Sequence, residues 1–378
     1  MLKRIYIDNY KCLVNFELNF GPVNLFLGPN GGGKTSVFET LQKLQLFVGQ
    51  NRKAGDLFAF SDRTRWQSSL IQTFELEIER GEKAYKYELA VEHDEKGQTA
   101  CVKYERLWYE RQPLLKFESD EVQLYQDNGT SASPYAFDSS LSALAFITPR
   151  SDNQLLSWFK EQLPYLIIVK IIPPLMGGES AQEEKFPSLW MENYASWYRY
   201  LSQDQGLAFQ LTDALRKCLP GFDYFKFTEA GKRHRTLKVF FASLEQPSAS
   251  TGYDFSELSD GQRMLIALYT LLLAAQAKDA TQSGKHKFIL CLDEPENYLA
   301  LPEIRPWMVD LYDLCSEGQV QALLISHHPE SIDYLLASPI GYWFERQNNL
   351  ATRVKQIRAE DDGGLPISDL IARGWLHE

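Results

Sequence analysis

The sequence predicts an α/β fold with a β-rich antiparallel lobe and an inserted helical region, and three observations carry that expectation. A short apolar strand, "VNLFLG", runs into a glycine-rich turn and then a helix expected from about Lys34 to Phe47. Three alternating segments, "QTFELEIER", "KAYKYELAVEH" and "CVKYERLWYE", are separated by glycine and charged turns and read as an antiparallel sheet with hydrated edges. A second buried strand, "FILCLD", ends in paired acids.

Taken in order, the chain opens with strand-like alternation in "KRIYIDNY" and "CLVNFELNF" before the apolar strand and its helix. After the antiparallel segments, from about Ser139 to Leu219, apolar residues fall at helical spacing, as in "DNQLLSWFKEQL" and "NYASWYRYLSQDQGLAFQLTDALRKCL". A hairpin follows, "YFKFTEAGKRHRTLKVFF", and "EQPSASTGYDFS" reads as a flexible lead into "ELSDGQRM". The chain then returns to helix, the strand with the acids, helix, and the strand "QALLIS"; the tail "AEDDGGLPISDLIARGWLHE" reads as a closing helix. This divides the chain into residues 1–138, the first part of a nucleotide lobe; 139–254, a helical insertion with hairpin; and 255–378, the second part of the lobe.

Composition restricts what such a chain does. Its 378 residues allow two or three compact units, and 44% hydrophobic with 24% charged residues supports a sizeable core. The formal charge of -11 argues against a protein that coats nucleic acid by bulk attraction. The five cysteines are odd in number and form no Cys-x-x-Cys pair, so neither a disulfide framework nor a zinc hook is expected. The longest apolar run, "MLIALYTLLLAA", is too short to span a bilayer and the N-terminus has no signal-like apolar core. A cytoplasmic protein with no membrane partner is the expectation.

The stretch "GPNGGGKTS" satisfies G-x-x-x-x-G-K-[ST] through Gly28, Gly33, Lys34 and Thr35. Its glycines permit positive φ and let backbone N–H groups approach a β-phosphate, and the following helix N-terminus adds positive potential. The expected ATP cradle is therefore Asn30, Gly31, Gly32, Gly33, Lys34, Thr35 and Ser36, with Lys34 reaching β and γ oxygens and the Thr35 hydroxyl ligating Mg²⁺. In "FILCLDEPEN", Asp293 is the second expected Mg²⁺ ligand and Glu294 the base that polarises the attacking water. Beyond the strand "LLIS" stand two histidines; His327 is the expected group that senses the γ-phosphate.

The order of these motifs, with "IDNYKCL" before the phosphate loop, "LSDGQR" and "DEPENYL", resembles the ABC-type P-loop ATPases of the SMC, RecF and OLD group, in particular the compact AAA_21 type. The resemblance is carried by two blocks, about residues 1–48 and 255–335. It implies an ATPase head that dimerises head to tail around two ATP molecules. It also implies that Ser259, Gly261 and Gln262 face the nucleotide held by Lys34 of the partner subunit, while Asn297 to Leu301 cross the interface.

Departures narrow the reading. Asp260 stands where transporter ATPases usually carry a second glycine, and Gln72 and Gln154 are both candidates for the Q-loop glutamine. No sustained heptads build a coiled-coil arm, and the stretch after His327 is too short for the acid-rich TOPRIM domain of OLD nucleases. The expected function is an ATP-driven dimerising switch acting on a separate effector such as a nuclease, in bacterial DNA repair or anti-phage defence; the alternative is the nucleotide-binding subunit of a membrane transporter. The turn "GKRHR", with Lys226 and Lys238 nearby, leaves nucleic-acid contact open.

Overall fold

Where polar and apolar residues alternate, one face of a strand is buried and the other hydrated, and the N-terminal part of the chain follows this rule closely. The computed structural model describes residues 1–231, 233–243, 250–276, 286–327, 340–348 and 350–357. In chain order, β1 (Leu2–Asp8), β2 (Phe16–Asn19) and β3 (Val23–Leu27) lead into α1 (Lys34–Gly49) and α2 (Ala54–Leu57). The antiparallel segments follow as β4 (Ile71–Arg80), β5 (Lys83–His93), β6 (Ala100–Tyr109), β7 (Gln112–Glu118), β8 (Glu121–Leu124) and β9 (Tyr135–Ala136). Next come α3 (Ala143–Phe146), α4 (Gln154–Gln162), β10 (Leu166–Val169), β11 (Glu179–Ser180), α5 (Tyr194–Leu201) and α6 (Gln205–Cys218). The hairpin is β12 (Phe222–Glu229) with β13 (Arg235–Ala242), followed by β14 (Ser250–Asp254) and α7 (Asp260–Gln276). β15 (Phe288–Asp293), α8 (Leu301–Ser316), β16 (Val320–Ile325), β17 (Ile340–Glu345) and β18 (Arg353–Ile357) complete the described chain.

The fold is mixed α/β, and the chain forms two compact units. The first comprises Met1–Leu166 and Ile340–Ile357. Its main sheet has eight strands in the order β2-β1-β4-β5-β6-β7-β8-β9, and each neighbouring pair is antiparallel. Register places Ile5 opposite Leu76 and Leu76 opposite Tyr87, so one face is largely apolar. A buried carboxylate on that face is fully engaged: Glu105 accepts from the Ser142 hydroxyl at 2.6 Å, from the Tyr87 hydroxyl at 2.8 Å and from Ala143 N at 2.7 Å. Burial pushes its carboxyl upward and these donors act against that shift. In the same unit β3 pairs in parallel with β17, and β17 antiparallel with β18, with the Phe26 and Phe344 rings 5.0 Å apart between them.

The second unit takes up the chain from Ile167. Here β15 lies between β10 and β16. β15 and β16 pair in parallel with Cys291 opposite Leu323 and Asp293 opposite Ile325, and β16 is buried throughout. That explains the unbroken apolar runs, since a strand covered on both faces has no polar side to alternate with. α7 is buried along most of its length, and the Trp307 indole of α8 donates to Leu268 O at 2.9 Å. A smaller sheet in the order β11-β13-β12, with β14 also paired to β13, packs Phe225 and Phe227 against Tyr198.

Two stretches differ from the sequence expectation. "LIIV", inside the region read as helical, is the strand β10; four apolar residues show no period, so only pairing with β15 decides their state. The segment read as a flexible lead contains β14, whose Thr251 and Tyr253 gain backbone partners from β13 in spite of a Ser- and Gly-rich sequence of low strand propensity. The expected closing helix, His328 and Lys232 of the "GKRHR" turn lie outside the described residues.

Candidate functional site

In the first unit β3 ends at Leu27 and the backbone turns through Gly28 to the start of α1. Gly28 has φ 125°, and a Cβ there would lie 2.0 Å from the backbone O of Phe344 on β17, so any side chain would force strand and loop apart. Gly33 has φ 102°, and a Cβ there would meet Thr352 Oγ1 at 2.8 Å and Cys12 Sγ at 3.0 Å. The loop is clamped from beneath. The Thr352 hydroxyl donates to Gly32 O at 2.9 Å, while Thr352 N donates to Cys12 O at 2.9 Å. Thr352 on its own was invisible to motif reading, because its role depends on chain closure between positions far apart in sequence.

The Lys34 ammonium is buried under the turn and donates to Gly28 O at 2.6 Å and Pro29 O at 3.0 Å. Asn30, Gly31 and Thr35 are exposed above it, with Ser36 half-buried. α1 begins at Gly33 with no side-chain cap and no acid in its first turn, so its positive end is not offset by the protein itself. These features fit a phosphate ligand: a preformed concave backbone, a lysine within the turn, an uncapped helix start and an exposed hydroxyl at Thr35 for a cation.

In the second unit β15 ends at Asp293, buried, with its Oδ2 3.3 Å from the Lys170 ammonium just beyond β10. Burial raises the carboxyl's affinity for a proton, and Lys170 opposes that. Glu294 follows in a left-handed conformation, φ 54°, unusual for a residue with a Cβ. Its backbone explains why it stays there: Glu294 N donates to Ile325 O of β16 at 2.9 Å, and Asn297 N donates to Glu294 O at 3.1 Å. The side chain is then held from both sides. The Asn297 amide donates to Oε2 at 2.7 Å, and His327 Nε2 stands 3.6 Å from Oε1.

One residue here escaped the sequence reading. Glu296 is buried and accepts from the Ser326 hydroxyl at 2.6 Å and from His327 N at 3.1 Å, so it fixes where the chain leaves β16 and where His327 starts. The signal was present as a third acid in "DEPE", inside a motif already in hand. Glu296→Ala should leave a buried hydroxyl and a backbone N–H without their acceptor and cost about 2 kcal/mol. Urea unfolding checks this, and Glu296→Gln, which keeps an oxygen acceptor, should cost less; equal stability of all three proteins would contradict the assignment.

The signature stretch begins α7. Ser259 Oγ accepts from Gln262 N at 3.3 Å and Gln262 Oε1 accepts from Ser259 N at 3.0 Å, a reciprocal cap that leaves Ser259 exposed at the helix start. Asp260 Oδ1 accepts from Arg263 at 2.7 Å, and Arg263 also donates to Met176 O at 3.4 Å. A Cβ at Gly261 would sit 3.0 Å from Tyr298 O, so the segment after Glu294 and the signature are packed together through a bare glycine. Of the two candidate glutamines, Gln72 is fully buried, donates to Asn9 O at 3.1 Å and meets His93 Nε2 at 2.9 Å, while Gln154 is exposed at the start of α4.

Thus Asn30 to Ser36 come together in the first unit, and Ser259, Gly261, Gln262, Asp293, Glu294 and His327 belong to the second. Among the described residues, no helix is long and apolar enough to cross a membrane.

Residues 4–188 match the family model described as "AAA domain", and residues 181–333 match the one described as "AAA domain, putative AbiEii toxin, Type IV TA system". Over 49 residues, 13% of this chain, the sequence is 42% identical to the OLD nuclease of Thermus scotoductus, and the matched stretch spans 9% of that protein's length. Among solved structures, the SMC head domain from Thermotoga maritima aligns over 95% of this chain and 99% of its own, with 14% identity and a TM-score of 0.47. The recombination mediator protein RecF with ATP aligns over 94% and 99%, with 12% identity and a TM-score of 0.47. AAA-domain models are matched in succession from residue 4 to residue 333, on a chain that carries phosphate loop, signature, acid pair and histidine in that order, and together with the short OLD nuclease match they support an ABC-type ATPase of the SMC, RecF and OLD kind.

Proposed function

We propose that this chain hydrolyses ATP and uses the nucleotide to close two copies of itself, head to tail, into a switch that drives a separate effector. The observation that carries the reading is the setting of Glu294: a carboxylate in a left-handed turn at a strand end, next to buried Asp293, steadied by Asn297 and faced by His327. A surface acid needs no such support. A general base does, because proton transfer depends on position to within a fraction of an ångström.

In this reading the turn from Gly28 to Gly33 receives the β-phosphate on backbone N–H groups, and Lys34 moves its ammonium from two carbonyls to phosphate oxygens. Thr35 and Asp293 would hold Mg²⁺, and the metal would neutralise charge on the phosphate oxygens. Glu294 takes a proton from the attacking water as its oxygen bonds to the γ-phosphorus and the bond to the ADP oxygen breaks; that proton leaves with phosphate. His327, 3.6 Å from Glu294, donates to the γ-phosphate and loses that contact when phosphate departs.

Ser259, Gly261 and Gln262 complete the site of the partner subunit, the serine and glycine presenting a hydroxyl and an unobstructed helix start. Residues 139–254, between the two motif blocks, transmit the closure to the effector. The protein matched over 49 residues is named an OLD nuclease, and a separate nuclease is the effector class proposed here, with repair or anti-phage defence as the setting. Purified protein should release phosphate from ATP in the presence of Mg²⁺ and stop when EDTA is added; release that is absent, or indifferent to EDTA, overturns the proposal.

A further inference from the structure

The run "YLIIVK" repeats the grammar of "FILCLD": an apolar strand ending in a charged residue. β10 and β15 are neighbours in one sheet, and the two charged residues meet, with Lys170 Nζ 3.3 Å from Asp293 Oδ2. The pair is unequal. Asp293 is 6% exposed and Lys170 44% exposed, so a carboxylate fixed in the interior is neutralised by a lysine whose flexible stem still reaches solvent. Lys170 N also donates to Leu189 O at 2.7 Å, which anchors its backbone beneath a side chain that is half exposed.

We infer that Lys170 is a built-in stand-in for the divalent cation at Asp293, occupying the carboxylate while no metal is bound and withdrawing when one arrives. This rests on the proposal that Asp293 is a metal ligand. Mg²⁺ coordinates oxygen at about 2.0–2.1 Å with octahedral geometry and keeps several waters, so an ammonium on the same oxygen excludes it both sterically and by charge. A buried carboxylate without any cation carries a large desolvation cost, and a lysine at the right distance removes it in the metal-free protein. The consequence for the cycle is order. Metal alone competes poorly with Lys170, and it binds well only when phosphate oxygens add their charge to the same site.

The test uses Mn²⁺ as the probe, its free hexaaqua form counted by electron paramagnetic resonance in nucleotide-free protein. Lys170→Gln should tighten Mn²⁺ binding about 5- to 10-fold, a change of the size expected from removing one partly buried like charge. Lys170→Arg, which keeps a cation in reach, should bind as the wild type does, and Asp293→Asn should abolish the site in every background. Thermal melting gives a second reading: Lys170→Gln should melt lower without metal and gain more from Mn²⁺ than wild type. Equal Mn²⁺ affinity in wild type and Lys170→Gln, with the site still lost in Asp293→Asn, overturns the stand-in while leaving the metal site intact. Mn²⁺ binding that Asp293→Asn does not diminish, with or without ATP, removes the metal site and the inference with it.

Discussion

Glu294→Gln should bind ATP as wild type does and hydrolyse it at least ~100-fold more slowly, the usual scale of a general-base contribution. The substitution is nearly isosteric, and the structure shows why it isolates chemistry from folding. The left-handed turn at Glu294 is held by backbone bonds from Glu294 N to Ile325 O and from Asn297 N to Glu294 O, and neither involves the carboxylate. A glutamine amide still accepts from Asn297 through its oxygen, so the loop keeps its shape. What disappears is the capacity to accept a proton from water. Single-turnover hydrolysis measured alongside nucleotide affinity separates the two, and near-normal turnover with normal binding would remove Glu294 from the reaction.

Much of this site was legible in the sequence because its parts are local. A glycine at a forced positive φ, an apolar strand ending in two acids and a histidine beyond a third strand each announce themselves within ten residues. The parts that were not legible depend on closure of the chain. Thr352 matters because it seats Gly32 from more than three hundred residues away. Lys170 matters because β10 is the neighbour of β15, and "LIIV" is too short to declare itself a strand. Glu296 was in view and passed over, since a third acid, set off by Pro295, reads as solvated until burial shows it holding Ser326 and His327.

The same comparison sharpens the meaning of "ELSDGQRM". Asp260 is the first residue of α7, and its carboxylate turns to Arg263 along the helix side. The residues left at the tip are Ser259, exposed and part of the cap, and Gly261, bare against Tyr298 O. An exposed serine at a buried helix's N-terminus satisfies its own helix with one lone pair and retains a hydroxyl for an anion outside the chain.

Whether that anion belongs to a second copy of the protein is the central claim, and mixed dimers test it. Lys34→Ala removes the phosphate lysine and Ser259→Arg blocks the signature, so each protein alone should hydrolyse at background. In a heterodimer of the two, one site combines an intact Lys34 with an intact Ser259 from the other subunit. Random mixing should therefore restore up to roughly a quarter of wild-type turnover, one working site in half of the dimers. Loss of the Ser259 cap costs about 1 kcal/mol, so both variants are first matched by thermal melting. Recovery on mixing is the predicted result; a mixture no more active than the sum of its separate components would contradict the head-to-tail ATP dimer.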